Sequence, residues 1–434
     1  MNIPLDRLYH YIRDTAQEIY SNRIIIYRFW PHGSKNISDL NNLNEGNNES
    51  LGDNEWTKKT IFPAVWCNDQ EPLDYEFYKI NSRIDNSTFS QFFQPPKNLN
   101  YRRNIFEKNL LLHSEKRSHD LKKYLLDGEL IPVYYWSHAV IARDWFRYAE
   151  HERFQKNTKK TFLIYSRAWS GTREYRLKFA DLLIKNDLVQ QCQTSCNPIE
   201  PELKIHYTNH QFKNPRWKPT NQLENFLQPT AADATSSADF NTDDYNSTDI
   251  EVILETLFDD DRLHLTEKSL RPIACGQPFI LTGTHGSLEY LRSYGFMTFN
   301  ELWDESYDLV KNPKERLIRI TDLMRDIADW TPEVREQKMI KARAIAEYNR
   351  QRFFSQDFFN LIINELKINL EVAFKELKQG NNYIGWINRW TEVLTYPEII
   401  EYLKTNQNHK TPTQAQIDVV IKLIENKLNN SNVK

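Results

Sequence analysis

Arg167, Arg173, Glu267 and Lys268 are the residues of this chain whose types and spacing best suit the grip of a phosphorylated ligand. The two arginines bracket Ser170-Gly171-Thr172, a tight-turn sequence that follows the apolar run 161–165. If that run is a strand, both guanidinium groups fall at its carboxyl end, where open α/β sheets bind ligands and where a planar fork of donors matches a phosphate. Ion pairs between domains are the other use such arginines find. Glu267 and Lys268 sit near the start of Leu265-Thr266-Glu267-Lys268-Ser269-Leu270-Arg271-Pro272-Ile273-Ala274-Cys275-Gly276, which reads as a short helix ended by a glycine and followed by the apolar run 279–281. A nucleoside diphosphate needs a cation, backbone N–H donors and an acceptor for ribose hydroxyls, and a helix N-terminus beside Lys268 and Glu267 offers all three. The plainer reading is a pair of surface charges on an ordinary helix. Gly283-Thr284-His285-Gly286-Ser287 then forms a loop in which Gly283 and Ser287 let backbone approach the ligand, an ordinary turn being the alternative.

Transfer of a group to a hydroxyl also calls for a base to take the acceptor proton, or for groups that stabilise the departing diphosphate. Asp69 and Glu71 follow the apolar run 62–66 and precede Pro72, which fixes the turn. Asp69 is the first choice as catalytic base and Glu71 the second, against the bland reading of a structural turn. His138 and Asp144 are further catalytic candidates, and Arg143 could hold an acceptor phosphate with His138, although a histidine at a strand end is more often a packing residue. His113, with Ser114 and Glu115, makes a weaker case of the same kind on the acceptor side.

These groups need elements that bring strand ends together. After an opening helix over about 5–20, the runs 23–29, 62–66, 109–113 and 131–136 read as short buried strands, each followed by polar and then helix-like sequence. The pattern restarts at 161–165, with a helix over about 172–185, a polar insertion near 197–246, a helix around 250–258, and amphipathic helices over 316–327, 332–353 and 358–377. The expectation is an α/β chain with an N-terminal domain over 1–157, a ligand-binding domain over 158–380 and a helical tail over 381–434.

A length of 434 residues suits two domains. No apolar run is long enough to span a bilayer, and the N-terminus lacks a basic start with an apolar core, so a cytoplasmic, membrane-free protein is expected. Cys192 and Cys196, in C-x3-C spacing without a second pair, read as reduced thiols before they read as metal ligands. The net charge of −3 excludes a surface basic all over. Charge is nonetheless uneven: residues 102–123 carry seven bases against three acids, residues 143–178 ten against four, and residues 233–261 ten acids and no base. The basic stretches could face phosphates and the acidic one be a solvated loop. Asp259-Asp260-Asp261 lies in that acidic run and no Asp-x-Asp stands at the expected strand end, so side-chain cations are expected to hold the diphosphate, with any divalent metal auxiliary.

The segment from Thr266-Glu267-Lys268 through Cys275-Gly276-Gln277-Pro278-Phe279-Ile280 resembles the donor-binding segment of fucosyltransferase-like enzymes of the GT-B type. Asp69-Gln70-Glu71-Pro72-Leu73, Leu112-His113-Ser114-Glu115-Lys116, Tyr165-Ser166-Arg167-Ala168-Trp169-Ser170-Gly171-Thr172-Arg173 and Gly286-Ser287-Leu288-Glu289-Tyr290-Leu291 resemble segments of tailed-bacteriophage glycosyltransferases. These segments are spread over residues 60–310. The resemblance implies a GT-B fold, two Rossmann-like domains facing a cleft with C-terminal helices, and a glycosyltransferase using a UDP- or GDP-sugar. The phage likeness further implies a hydroxymethylated base of double-stranded DNA as acceptor, in host cytoplasm, with the basic stretches lining a groove. A surface glycan or small molecule is the competing acceptor. A non-catalytic nucleotide- or DNA-binding protein of the same shape is the alternative from another class.

Overall fold

The computed structural model describes residues 14–15, 18–19, 26–30, 64–68, 72, 109–117, 133–135, 139–201, 203–220, 223–226, 240–379, 395, 397, 400–401, 418, 421–422 and 424–425. The chain divides into two compact units: Met1–Tyr11 with Ser137–Ile363, and Ile12–Trp136 with Asn364–Lys434. These limits differ from those read in the sequence, because residues 137–157 lie with the second sheet and the division falls again inside a long helix.

In the unit holding residues 12–136, β1 (Ile26–Trp30), β2 (Ala64–Asn68), β3 (Asn109–His113) and β4 (Val133–Tyr135) pair in parallel in the order β1-β2-β3-β4. All four coincide, within three residues at each end, with runs expected to be strands. Parallel strands require a crossover between each pair, which agrees with the long sequence separations between these runs.

The other unit is built on a second parallel sheet of β5 (Lys160–Ser166), β6 (Cys192–Cys196), β9 (Thr248–Leu254) and β10 (Phe279–Thr282), and β7 (Ile199–Glu200) and β8 (Ile205–His206) form a small antiparallel pair beside it. The order across the sheet is β6-β5-β9-β10, every pair parallel. The chain therefore moves outward from β5 to β6 and then returns to the other side of β5 to lay down β9. That reversal between β5 and β9 is a topological switch point, where a crevice opens at the carboxyl ends of the strands.

Eight helices are used below: α1 (Ala139–Trp145), α2 (Tyr175–Lys185), α3 (Thr242–Ser247), α4 (Glu267–Ala274), α5 (Ser287–Ser293), α6 (Pro313–Ala328), α7 (Pro332–Phe354) and α8 (Gln356–Gln379). Their starts follow from local chemistry. Asn312 accepts from the amides of Lys314 and Glu315 ahead of Pro313, and Thr331 accepts from the amide of Val334 ahead of Pro332, each a capping side chain followed by a proline at the first helical position. α4 ends on Gly276 at φ +64°, the left-handed closure expected from the sequence.

One expected element is different. Residues 250–258 read as a helix because Ile250, Ile253, Leu254, Leu257 and Phe258 fall at helical spacing. The structure instead makes 248–254 the buried strand β9. The acids that gave this stretch its polar face are neutralised from a distance. Asp249 takes Arg335 and Arg343, and Glu251 takes Arg271 at 2.6 Å and the Tyr245 hydroxyl. Residues 248–254 of the expected solvated acidic loop are thus a central strand, with Asp249 and Glu251 buried in it and Glu255 buried just past its end.

Candidate functional site

The carboxyl ends of β5 and β9 are joined by a buried guanidinium. Arg176 of α2 donates to the carbonyls of Ala168 at 2.6 Å, Leu254 at 2.7 Å and Glu255 at 3.0 Å, so the loop after β5 and the loop after β9 are fastened at one point. Burial depresses this guanidinium from the usual arginine range. Tyr175, its neighbour, donates its hydroxyl to the Glu255 carbonyl at 2.6 Å. Arg167 and Arg173 stand on the loop so fixed: Arg167 directly follows β5, and Arg173 ends the 3-10 turn Gly171–Arg173, with Gly171 at φ +63°. The half-buried Arg167 side chain makes no hydrogen bond or ion pair among the described residues. It is therefore a cation beside the switch point that no acid among the described residues pairs with.

The second half of the site is the start of α4. Thr266 caps the helix, accepting from the Lys268 amide at 3.4 Å. Glu267 is fully buried, and its Oε1 takes the Lys268 ammonium at 2.6 Å, while the lysine also reaches the Thr266 hydroxyl at 3.3 Å. The Lys268 side chain keeps 20% of its surface, so its charge can still meet a ligand.

Two carboxylates missed by sequence reasoning reshape this site. The Glu255 carboxylate, just past β9, accepts from the amides of Thr266 at 3.0 Å, Ser269 at 3.2 Å and Thr256 at 3.1 Å, and from the Thr266 and Ser269 hydroxyls. Glu200 Oε2 accepts from the amides of Trp169 at 2.8 Å and Ser170 at 2.9 Å. In both, a carboxylate takes backbone N–H groups of the kind that can bind a phosphate. The expectation that the helix N-terminus lends its amides to the diphosphate is narrowed to this extent: Glu255 already holds two of them, those of Thr266 and Ser269. An anion at this edge must be met chiefly by side-chain cations. No sequence signal links Glu255 or Glu200 to their loops, since each acts across 11 or about 30 residues of chain.

Gly283 and Ser287 follow β10 on the same edge. The Gly283 carbonyl accepts from Arg316 Nε at 3.1 Å, and the Ser287 hydroxyl donates to the Thr284 carbonyl at 2.5 Å. Gly286, at φ +80°, is the glycine whose conformation the turn requires. Arg316, another residue missed in the sequence, also donates to the carbonyls of Phe258, Val310 and Lys311 and lies over the Phe258 ring at 4.4 Å, so it welds the loops after β9 and β10.

The acceptor-side candidates separate. Asp69, Glu71 and His138 lie outside the described residues. His113 ends β3, is buried, and accepts from the Glu115 amide at 3.3 Å. Asp144 is buried on α1 and pairs with Arg147 at 3.2 Å. Arg143 donates to the carbonyls of Phe353 at 2.5 Å, Phe354 at 2.6 Å and Ser355 at 3.0 Å and lies against the Phe359 ring, so its guanidinium closes the end of α7. With Arg176 also buried, the basic stretch 143–178 does not form one outward face. Most of 102–123 lies outside the described residues.

Among the described residues no cluster of three or more His, Cys, Asp or Glu side chains is arranged to hold a metal ion, and no helix is long and apolar enough to cross a membrane. Cys192, Cys196 and Cys275 are free and buried, and burial pushes their thiols up.

No family model matches the sequence, and no curated protein matches it. Among solved structures, similarity is found to the crystal structure of α,α-trehalose 6-phosphate synthase from Burkholderia multivorans, with 9% identity and a TM-score of 0.35 over 86% of this chain and 77% of that one. A likeness at that level decides neither fold family nor activity.

Proposed function

We propose that this chain is a nucleotide-sugar-dependent glycosyltransferase of the GT-B type, which moves a sugar from a nucleoside diphosphate to a hydroxyl acceptor. The observation that carries the reading is that Arg167, just past β5, and the Glu267–Lys268 pair, on the helix whose start is held by Glu255 just past β9, follow the carboxyl ends of two adjacent strands flanking the switch point. A switch-point crevice is where an open α/β sheet takes a nucleotide, and cations there stabilise charge building on a departing diphosphate. In this reading Arg167, Lys268 and Arg173 meet the diphosphate, Glu267 orients Lys268 and takes a ribose hydroxyl, and Gly283 and Ser287 shape the wall beside the sugar. A divalent ion is auxiliary, because the side-chain cations already supply positive charge.

Asp69 is the proposed base, with Glu71, His138 and Asp144 behind it, and His113 and Arg143 remain on the acceptor side. The finer acceptor, a hydroxymethylated base in double-stranded DNA, is supported by the phage-like segments alone. Incubating the protein with a panel of nucleotide sugars and with plain or hydroxymethylated DNA, followed by mass spectrometry, tests both levels. A DNA mass increase equal to one hexosyl or other glycosyl unit supports the full reading. Transfer only to a soluble saccharide removes DNA, and nucleotide binding with every donor left intact removes catalysis.

A further inference from the structure

A second cluster of cations lies at the opposite, amino edge of the same sheet. There a cavity of about 380 Å³ is lined by Lys159 and Lys160 at the entry to β5, by Asp249 at the start of β9 and by Arg335 and Arg343 of α7. Its volume is within the range of about 300–1,000 Å³ usual for small-molecule sites. Counting the lining side chains, Lys159, Lys160, Arg335 and Arg343 stand against Asp249 and Glu336, an excess of two positive charges.

The arginines are held before any ligand arrives. Asp249, 3% exposed, accepts from Arg335 Nε at 3.1 Å and Nη2 at 2.8 Å, from Arg343 Nη2 at 2.9 Å and from the Thr158 hydroxyl at 2.9 Å. One carboxylate thus fixes two guanidinium groups while neutralising only one of them. Each guanidinium carries five N–H donors, so several stay available, and Arg343 Nε is buried without an acceptor among the described residues. The exposed Lys159 side chain has no hydrogen bond or ion pair among the described residues.

We infer that this cavity is a binding site for a small phosphate-bearing anion, separate from the donor edge and facing the other end of the sheet. Asp249 serves as the internal counter-ion that orients the arginines, and Lys159 closes the site over the anion.

The test is calorimetric titration of inorganic phosphate and of pyrophosphate into the intact protein at constant ionic strength, with Lys159→Gln, Arg343→Gln and Arg167→Ala measured alongside. The expected result is binding that weakens about tenfold in Lys159→Gln and in Arg343→Gln and survives in Arg167→Ala. Stronger binding of pyrophosphate than of phosphate identifies a diphosphate-sized ligand, and equal binding a single phosphate group. Arg343→Gln also loosens Asp249, so Lys159→Gln, which disturbs no side-chain bond among the described residues, decides the case if the arginine variant unfolds. Binding of neither anion, binding unaltered in Lys159→Gln, or binding abolished by Arg167→Ala overturns the inference. Only the last of these bears on the donor site, where it places the anion instead.

Discussion

Glu255 holds Thr266 at two points, accepting from its amide at 3.0 Å and from its hydroxyl at 2.9 Å, so the acid that ends β9 also starts the helix carrying Lys268. The pairing is buried and charge-assisted, and it sets where the Lys268 ammonium stands. Replacing Glu255 by Ala takes the acceptor from the Thr256 and Thr266 amides, while the Ser269 amide keeps the Thr266 carbonyl at 3.2 Å, at a cost of about 1–3 kcal/mol for each donor left buried and unmet. The expected outcome is a lower thermal midpoint together with faster amide exchange at 266–269. Normal exchange there would show that the cap is dispensable.

Arg167 is expected to behave in the opposite way. Because its side chain has no partner among the described residues, Arg167→Ala should leave the unfolding free energy within about 0.5 kcal/mol of the parent, the usual range for surface changes. Nucleotide binding should weaken roughly tenfold to a hundredfold, matching the loss of a charge-assisted contact worth about 1.5–3 kcal/mol. Calorimetry with UDP and with GDP measures it, and unaltered affinity for whichever is preferred would remove Arg167 from the donor site.

Asp69→Asn should lower turnover by about 10²–10⁴ with donor affinity nearly intact, the usual worth of a general base. Asp144→Asn gives the comparison, since Asp144 is tied to Arg147. If Asp69→Asn turns over normally and Asp144→Asn does not, the base lies on α1.

Lys156 supplies a pH signature. Burial, opposed by Asp249, brings its amine down to about 8 from the ordinary 10.5, and its ammonium donates to the carbonyls of Tyr245 at 2.6 Å and Thr248 at 3.0 Å. Between pH 8 and 10.5 the unfolded chain binds the more protons at this residue, so its contribution makes stability rise with pH through that window; below pH 8 the full cost of burying the charge is present. Urea midpoints at pH 7.5 and 10 should therefore converge in Lys156→Met relative to the parent. Equal slopes in the two proteins would rule the assignment out.

Much of this architecture was legible from pattern, and the exceptions have physical causes. β5 and β10 were readable because a strand buried on both faces is a short continuous apolar run, and α6 and α7 because amphipathic stretches run through both. β9 was not, since its apolar residues imitate a helical stripe and the acids between them are satisfied by Arg271, Arg335 and Arg343, whose positions only the fold supplies. The same holds within the candidate site. Arg167, Glu267 and Lys268 could be picked out by type and by strand-end position, whereas Glu255, Glu200, Arg176 and Arg316 act through partners distant in sequence.

Arg143 closing the end of α7 has a practical corollary for anyone dissecting the chain. The three carbonyls it serves lie more than 200 positions downstream, at the bend where α7 gives way to α8. A fragment begun at 158, the start of the ligand-binding domain expected from sequence, would leave that bend without its cation and expose the flank of α4 against which α1 packs. The smallest piece with a chance of independent existence reaches back at least to 139, so trimming experiments should treat the residues ahead of β5 as part of the body they precede, not as a disposable tether.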